Sequence, residues 1–137
     1  MQTNLNFGNS GVYLMGLYEV QIYSSYNDEH KIYYNGQAGS IYKQKSPLVN
    51  ACLPAGKWQV FDIVFTAPRF RSDLSLESPA YITVFHNGVL IQNHFALTGP
   101  TVHTDFTEYK AHSGQLPLLL QEHKSKVSYR NIWILEL

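Results

Sequence analysis

The chain is short of nearly everything that marks a specialised class of protein. Its one cysteine, Cys52, excludes an internal disulfide and leaves the redox compartment open. Only 15% of residues are charged, and the 10 Lys and Arg balance the 10 Asp and Glu. No basic face for nucleic acid and no acidic tail is therefore expected, and a small neutral partner is. No apolar run approaches the roughly 20 residues of a membrane helix, and Met1-Gln-Thr-Asn-Leu-Asn6 lacks the organisation of a signal peptide, so no membrane partner is expected. Helical periodicity is nearly absent. The six histidines are scattered at 30, 86, 94, 103, 112 and 123, with no His-x-His or His-Glu-x-x-His unit to announce a metal.

What is present is β-structure. At 137 residues the chain suffices for one domain with a real core. Strand-like segments recur at 11–23, 31–35, 38–43, 57–66, 80–86, 89–96, 117–121 and 127–136. Asn35-Gly36 and Asn87-Gly88 are hairpin signals, and Pro54-Ala-Gly56, Ala67-Pro68 and Gly99-Pro100 punctuate the remainder. About eight short strands without a helical core imply an all-β antiparallel sandwich or jelly roll. The span 97–116, rich in Thr, His, Gly and Pro, is expected to be a long loop over a sheet edge or a cleft.

Alternation assigns faces. Tyr18, Val20 and Ile22 can enter a core while Glu19 and Gln21 line the opposite side, an arrangement that builds a polar binding surface on a sheet. Phe61, Ile63 and Phe65 form one set, which puts Asp62 opposite, on the same polar face as Glu19 in the simplest arrangement. Trp58 and Trp133 are expected in the core, and Cys52 as a small buried hydrophobe. Aromatic residues reach 14%, with 10 tyrosines, which suits strand packing and sugar stacking alike.

Seven blocks carry a family resemblance: Gly8-Asn-Ser-Gly-Val-Tyr-Leu14, Tyr18-Glu-Val-Gln-Ile22, Gly36-Gln-Ala-Gly-Ser-Ile-Tyr42, Pro47-Leu-Val-Asn-Ala51, Trp58 to Phe65, Val84-Phe-His-Asn-Gly-Val-Leu-Ile-Gln-Asn-His94, and Leu120-Gln-Glu-His123 with Tyr129-Arg-Asn-Ile-Trp-Ile134. In this order they resemble the 3-keto-disaccharide hydrolase domain family. That resemblance implies a concanavalin-like, glucanase-like jelly roll, a small carbohydrate substrate and, because such proteins are often exported, a periplasmic or extracellular setting. Ser24 stands where the family usually has Asp, Lys124 where it has Gly, and only seven residues precede Gly8. The chain therefore resembles a shortened or minimal member, whose open sheet edge would favour a homodimer.

Jelly-roll glucanases place two carboxylates at alternating positions of one strand as nucleophile and acid/base. Here Glu19 is followed by Gln21, so ordinary retaining hydrolysis is disfavoured. A 3-keto sugar makes a lighter demand. Its ketone acidifies the C2 hydrogen, so one base can start an elimination of the C1 substituent, and water can then add. On this resemblance Glu19, His94 and His123 are the base and metal-ligand candidates, for one divalent metal ion. Gln21, Gln92 and Arg130 would hold sugar hydroxyls or the oxyanion, Asp62 would contribute from another strand, and Asn9 lies where glycine-flanked backbone could approach the sugar. The rival readings are a non-catalytic sugar-binding module and a strand-exchanged assembly fragment.

Overall fold

A computed structural model describes residues 8–104 and 107–137. The stretch read as one strand over 11–23 is a tight hairpin. Strands β1 (Ser10–Leu14) and β2 (Tyr18–Ile22) run antiparallel with Ser10 opposite Ile22 and Leu14 opposite Tyr18. The turn between them places Met15 and Gly16 at φ 56° and 66°, left-handed geometry that glycine adopts without the Cβ clash.

Next along the chain come two single-turn 3-10 helices, Tyr26–Asp28 and Tyr34–Gly36. Five strands follow: β3 (Phe61–Thr66), β4 (Arg69–Phe70), β5 (Leu76–Ser78), β6 (Tyr81–His86) and β7 (Val89–Ala96). The last is β8 (Leu119–Leu120). One sheet has the order β2-β1-β8, a second β3-β6-β7, and β4-β5 is a separate hairpin. The β6–β7 turn is the one announced by Asn87-Gly88, with φ 51° and 78°. Positive φ at both positions is what a type I′ turn requires. Asn35-Gly36 does not turn a hairpin; Asn35 sits at φ −84° inside a 3-10 turn whose last carbonyl, on Gly36, accepts from Gln21 Nε2 at 3.1 Å.

The two larger sheets face each other as an antiparallel β-sandwich. Tyr18 and Val20 from β2 meet Ile82 and Val84 from β6 and Ile91 from β7, with Ile41, Ala80 and Leu97 completing the core. Each large aliphatic or aromatic side chain so enclosed contributes about 1.5–3 kcal/mol. The parity read for β2 holds for Tyr18 and Val20, with Glu19 and Gln21 pointing away from this core, while Ile22 is half-buried and outside it. Phe61, Ile63 and Phe65 also pack on the core as read, but that sends Asp62 to the outer face of the second sheet. In a two-layer fold the outer faces lie on opposite sides, so Asp62 does not share a face with Glu19.

Several other expectations are corrected. Segments 31–35 and 38–43 are not strands. Ile41 instead makes isolated bridges to Val20 and Lys45, and the adjoining backbone satisfies β2 through Gln21 N to Ser40 O (2.9 Å) and Gly39 N to Gln21 O (2.8 Å). Residues 127–136 join no ladder, and Ile132, Trp133, Ile134 and Leu135 are exposed. Neither tryptophan is core, since Trp58 is 50% and Trp133 76% exposed. Cys52 is buried as read. No helix among the described residues is long and apolar enough to cross a membrane.

Candidate functional site

The outer face of the β1–β2 hairpin forms the floor of a cleft of about 180 Å³. Tyr13, Glu19 and Gln21 supply the centre of that floor, with Asn9, Gln121 and His123 along its edge. Tyr33 and Tyr42 make one wall, Thr101, Val102 and His103 another. The walls are fastened to the floor and to each other. Thr101 N donates to Leu17 O at 3.0 Å and the Thr101 hydroxyl accepts from Glu19 N at 3.0 Å, which pins the long loop to the start of β2. Gln44 joins the two wall segments by donating to Gly99 O at 2.8 Å and accepting from Thr98 N at 2.9 Å. Tyr42 Oη lies 2.5 Å from Tyr33 Oη and 3.1 Å from His103 Nδ1, and Lys43 Nζ sits 3.7 Å above the Tyr33 ring. The rim is thus an ordered aromatic surface.

Glu19 is 4% exposed and directly opposite Tyr13 in the ladder, so their side chains emerge on the same face. Tyr13 Oη donates to Glu19 Oε2 at 2.8 Å. Burial pushes the Glu19 carboxyl above its ordinary pKa, against the smaller lowering effects of the Tyr13 hydrogen bond and of the nearby His123. Burial likewise pushes the Tyr13 phenol up, with the Glu19 hydrogen bond and charge adding to it, so this hydroxyl stays a donor. A desolvated carboxylate with a fixed hydrogen-bond donor is a stronger base than one in water.

Of the residues singled out from sequence, Asn9, Glu19, Gln21 and His123 converge on this cleft. The others do not. His94 lies at a bulge, where the β6–β7 register shifts between Ile82 and Val84, and has φ 47°. Its backbone N–H donates to Thr83 Oγ1 at 3.0 Å and its ring stacks on Tyr81 at 4.4 Å, away from Glu19. Gln92 is buried with its amide committed to Gly39 O at 3.0 Å and Ser46 O at 3.3 Å, so it braces a loop instead of meeting a sugar. Arg130 stacks 3.8 Å above the Trp58 ring. Asp62 is exposed on the far sheet.

The proposed metal set of Glu19, His94 and His123 is therefore not assembled, because His94 belongs to the other sheet. Among the described residues no three His, Cys, Asp or Glu side chains form a group able to hold an ion. The donors among the described residues do not fit a metal site, and the chemistry below uses none.

Sequence reading missed Tyr13, Tyr33, Tyr42, Thr101 and Gln121. Tyr13 alternates with Glu19-facing positions once the hairpin is known, so a turn assigned at Gly16 would have found it. His103 falls in the span 97–116, read as a long loop over a sheet edge or a cleft, and it lines the wall. His112, in the same span, does not line the cleft and lies 2.6 Å from the Tyr18 hydroxyl.

The fold has a solved counterpart. A protein of Parabacteroides distasonis ATCC 8503, described as a "putative glycosyl hydrolase", is 47% identical in sequence and superposes with a TM-score of 0.80 over 86% of this chain. The match takes in 49% of that protein, so the chain spans about half its length. No curated protein matches the chain. The family model for the 3-keto-alpha-glucoside-1,2-lyase-like domain matches residues 1–135, agreeing with the seven blocks. The chain belongs to the 3-keto-alpha-glucoside-1,2-lyase-like domain family.

Proposed function

We propose that the cleft binds the ring of a 3-keto-glycoside and cleaves its glycosidic bond by elimination, with Glu19 as the base. The observation that carries this reading is a buried carboxylate on the cleft floor, Glu19, which is the single acid among the described lining residues. Its neighbours two positions along β2 and directly across on β1 are Gln21 and Tyr13, not acids. A two-carboxylate mechanism has no second partner among the described lining residues. The cleft, of about 180 Å³, is on the scale of one sugar ring.

The chemistry balances with the groups present. Glu19 takes the C2 proton, and the C–H electron pair forms the enolate of C2 and C3. Collapse of the enolate restores the C3 ketone, forms the C1–C2 double bond and breaks the bond from C1 to the leaving oxygen. That oxygen takes up a proton, which His123, in the cleft lining, would supply. Water then adds to C1 of the enone, passing its spare proton to His123, while C2 regains the proton held by Glu19, giving the 3-keto sugar and returning both residues to their starting states. Gln21 and Gln121, each with one amide N–H held by Gly36 O or Tyr13 Oη and both lining the cleft, would meet the ring hydroxyls with the remainder of the amide, and Tyr33 and Tyr42 offer apolar ring surface.

The deciding experiment is release of chromophore from a 3-keto-glucoside by the purified protein, compared with the unoxidised glucoside and with Glu19→Gln. The expected result is release from the keto substrate alone, lowered at least about 100-fold by the substitution. Equal release by Glu19→Gln would sink the assignment. Sugar binding without any release would leave the cleft as a binding site.

A further inference from the structure

The two oxygens of Glu19 stand in different surroundings. Oε2 accepts the Tyr13 hydroxyl at 2.8 Å. That hydroxyl in turn accepts from Gln121 Nε2 at 3.4 Å, so the three side chains form a chain of donors ending on the carboxylate. Gln121 is itself held at both backbone ends. Its N–H donates to Gly11 O at 2.9 Å, and its carbonyl accepts from Ser10 Oγ at 2.6 Å.

Oε1 lies over the backbone of Gly11. A Cβ on that residue would stand 2.2 Å from Oε1, 2.8 Å from Cδ and 2.9 Å from Cγ. Gly11 faces Gln21 in the ladder and shares the cleft-side face with Tyr13, two residues on. The missing side chain is therefore the space that the carboxylate fills. Among the described residues Oε1 takes no hydrogen bond, which leaves it for an incoming group.

We infer that Tyr13, backed by Gln121, is a positioning residue that ties down Oε2, and that Gly11 keeps open the space in which Oε1 takes the substrate's proton. This rests on the reading of Glu19 as the base. The division of labour suits proton transfer. A carboxyl protonated on Oε1 keeps Oε2 as an acceptor, so the Tyr13 bond persists before and after the step. A glutamate has three side-chain torsions, and an untied one samples positions from which attack fails. A displacement of about 1 Å costs on the order of 100-fold in rate.

The test uses Tyr13→Phe and Gly11→Ala, with protein labelled with carbon-13 at the glutamate side-chain carboxyls and the Glu19 resonance assigned by its loss in Glu19→Gln. Tyr13→Phe is expected to shift that resonance and to lower kcat about 10- to 100-fold with KM within about twofold. Gly11→Ala is expected to shift the same resonance and to lower kcat at least as much. A purely structural role for Tyr13 would lower the melting temperature and leave both the resonance and kcat in place. An unmoved Glu19 resonance in folded Tyr13→Phe overturns the tie, and wild-type kcat in Gly11→Ala overturns the assignment of Oε1. Should Gly11→Ala not fold, Gln121→Ala replaces it, with a smaller shift and loss expected and no change overturning the relay. If the wild-type protein releases nothing, the base reading fails by itself, while the resonance still decides whether Tyr13 holds the carboxylate.

Discussion

His86 should make the fold sensitive to acid. It ends β6 at 1% exposure, with its ring stacked 4.1 Å from Phe61. Its Nε2 lies 2.8 Å from Gln59 Oε1, an oxygen that also accepts from Leu53 N at 3.0 Å and is therefore an acceptor. The ring hydrogen must then sit on Nε2, leaving Nδ1 bare, and Nδ1 is buried without a partner. A second proton would have to enter at Nδ1, where nothing described accepts it. Burial accordingly lowers the His86 pKa from 6.5 to about 4. Because the folded value lies below the unfolded one, the unfolded chain binds the proton more readily, and stability falls as pH drops through the window between them. At roughly 1.4 kcal/mol per unit, the shift makes the fold about 2–3 kcal/mol less stable at pH 4.5 than at pH 7. Glu19 pulls the other way, since its raised pKa favours the fold at low pH and loses that contribution as pH rises through the folded value. His86→Phe keeps the aromatic stack and lets Glu19 cancel in the comparison. Urea unfolding followed by intrinsic fluorescence at both pH values should show a fall in the wild type that exceeds the fall in His86→Phe by about 2 kcal/mol. Equal falls would refute a neutral, buried His86.

Three further outcomes follow from the fold. Gly39 has φ 81°, and a Cβ there would lie 2.1 Å from Ile91 Cδ1, so Gly39→Ala should destabilise by about 2–4 kcal/mol in chemical denaturation, from backbone strain and overpacking together. Asn87→Ala removes the hydrogen bonds to Val60 N (2.9 Å) and Ala51 O (2.8 Å) and puts a Cβ residue other than Asn at φ 51°; a loss of about 2 kcal/mol is expected by the same measurement. His94→Ala and Arg130→Ala, which lose ring contacts outside the cleft, should each cost stability by about 1 kcal/mol or less while leaving turnover of a 3-keto-glucoside within about twofold of wild type. A tenfold loss of kcat in either would return that residue to the site.

The parts of this structure that were legible in the sequence are those set by neighbours along the chain. The alternation of Tyr18 and Val20 against Glu19 and Gln21 follows from the pleat alone, and Asn87-Gly88 states its turn type through the φ values it tolerates. The first hairpin was hidden because Leu14-Met-Gly-Leu17 continues an apolar run and carries no Asn-Gly signal. His94 misled for a local reason of a different kind. Strict alternation counts it with Gln92, but the bulge inserts an extra residue and the count fails beyond it. Tyr33, Tyr42 and Gln121 were invisible because loops bring them to the cleft through contacts spanning many residues, which periodicity does not encode. Tyrosine is also ambiguous in a chain with 10 of them, since a ring that packs and a hydroxyl that holds a carboxylate look alike in sequence.

Tyr13 and Glu19 are six residues apart and meet as soon as one hairpin closes, whereas Gln121 reaches Tyr13 across 108 residues. Closing the short loop costs little chain entropy and can happen within microseconds, before the sheets assemble. The long-range contact forms only when β8 docks on β1. The carboxylate is thus set in place early by its own hairpin and locked late by the far end of the fold. A nascent or partly unfolded chain would carry Glu19 in approximate position without its final restraint, so that, on the proposed reading, full turnover would report completion of the sheet.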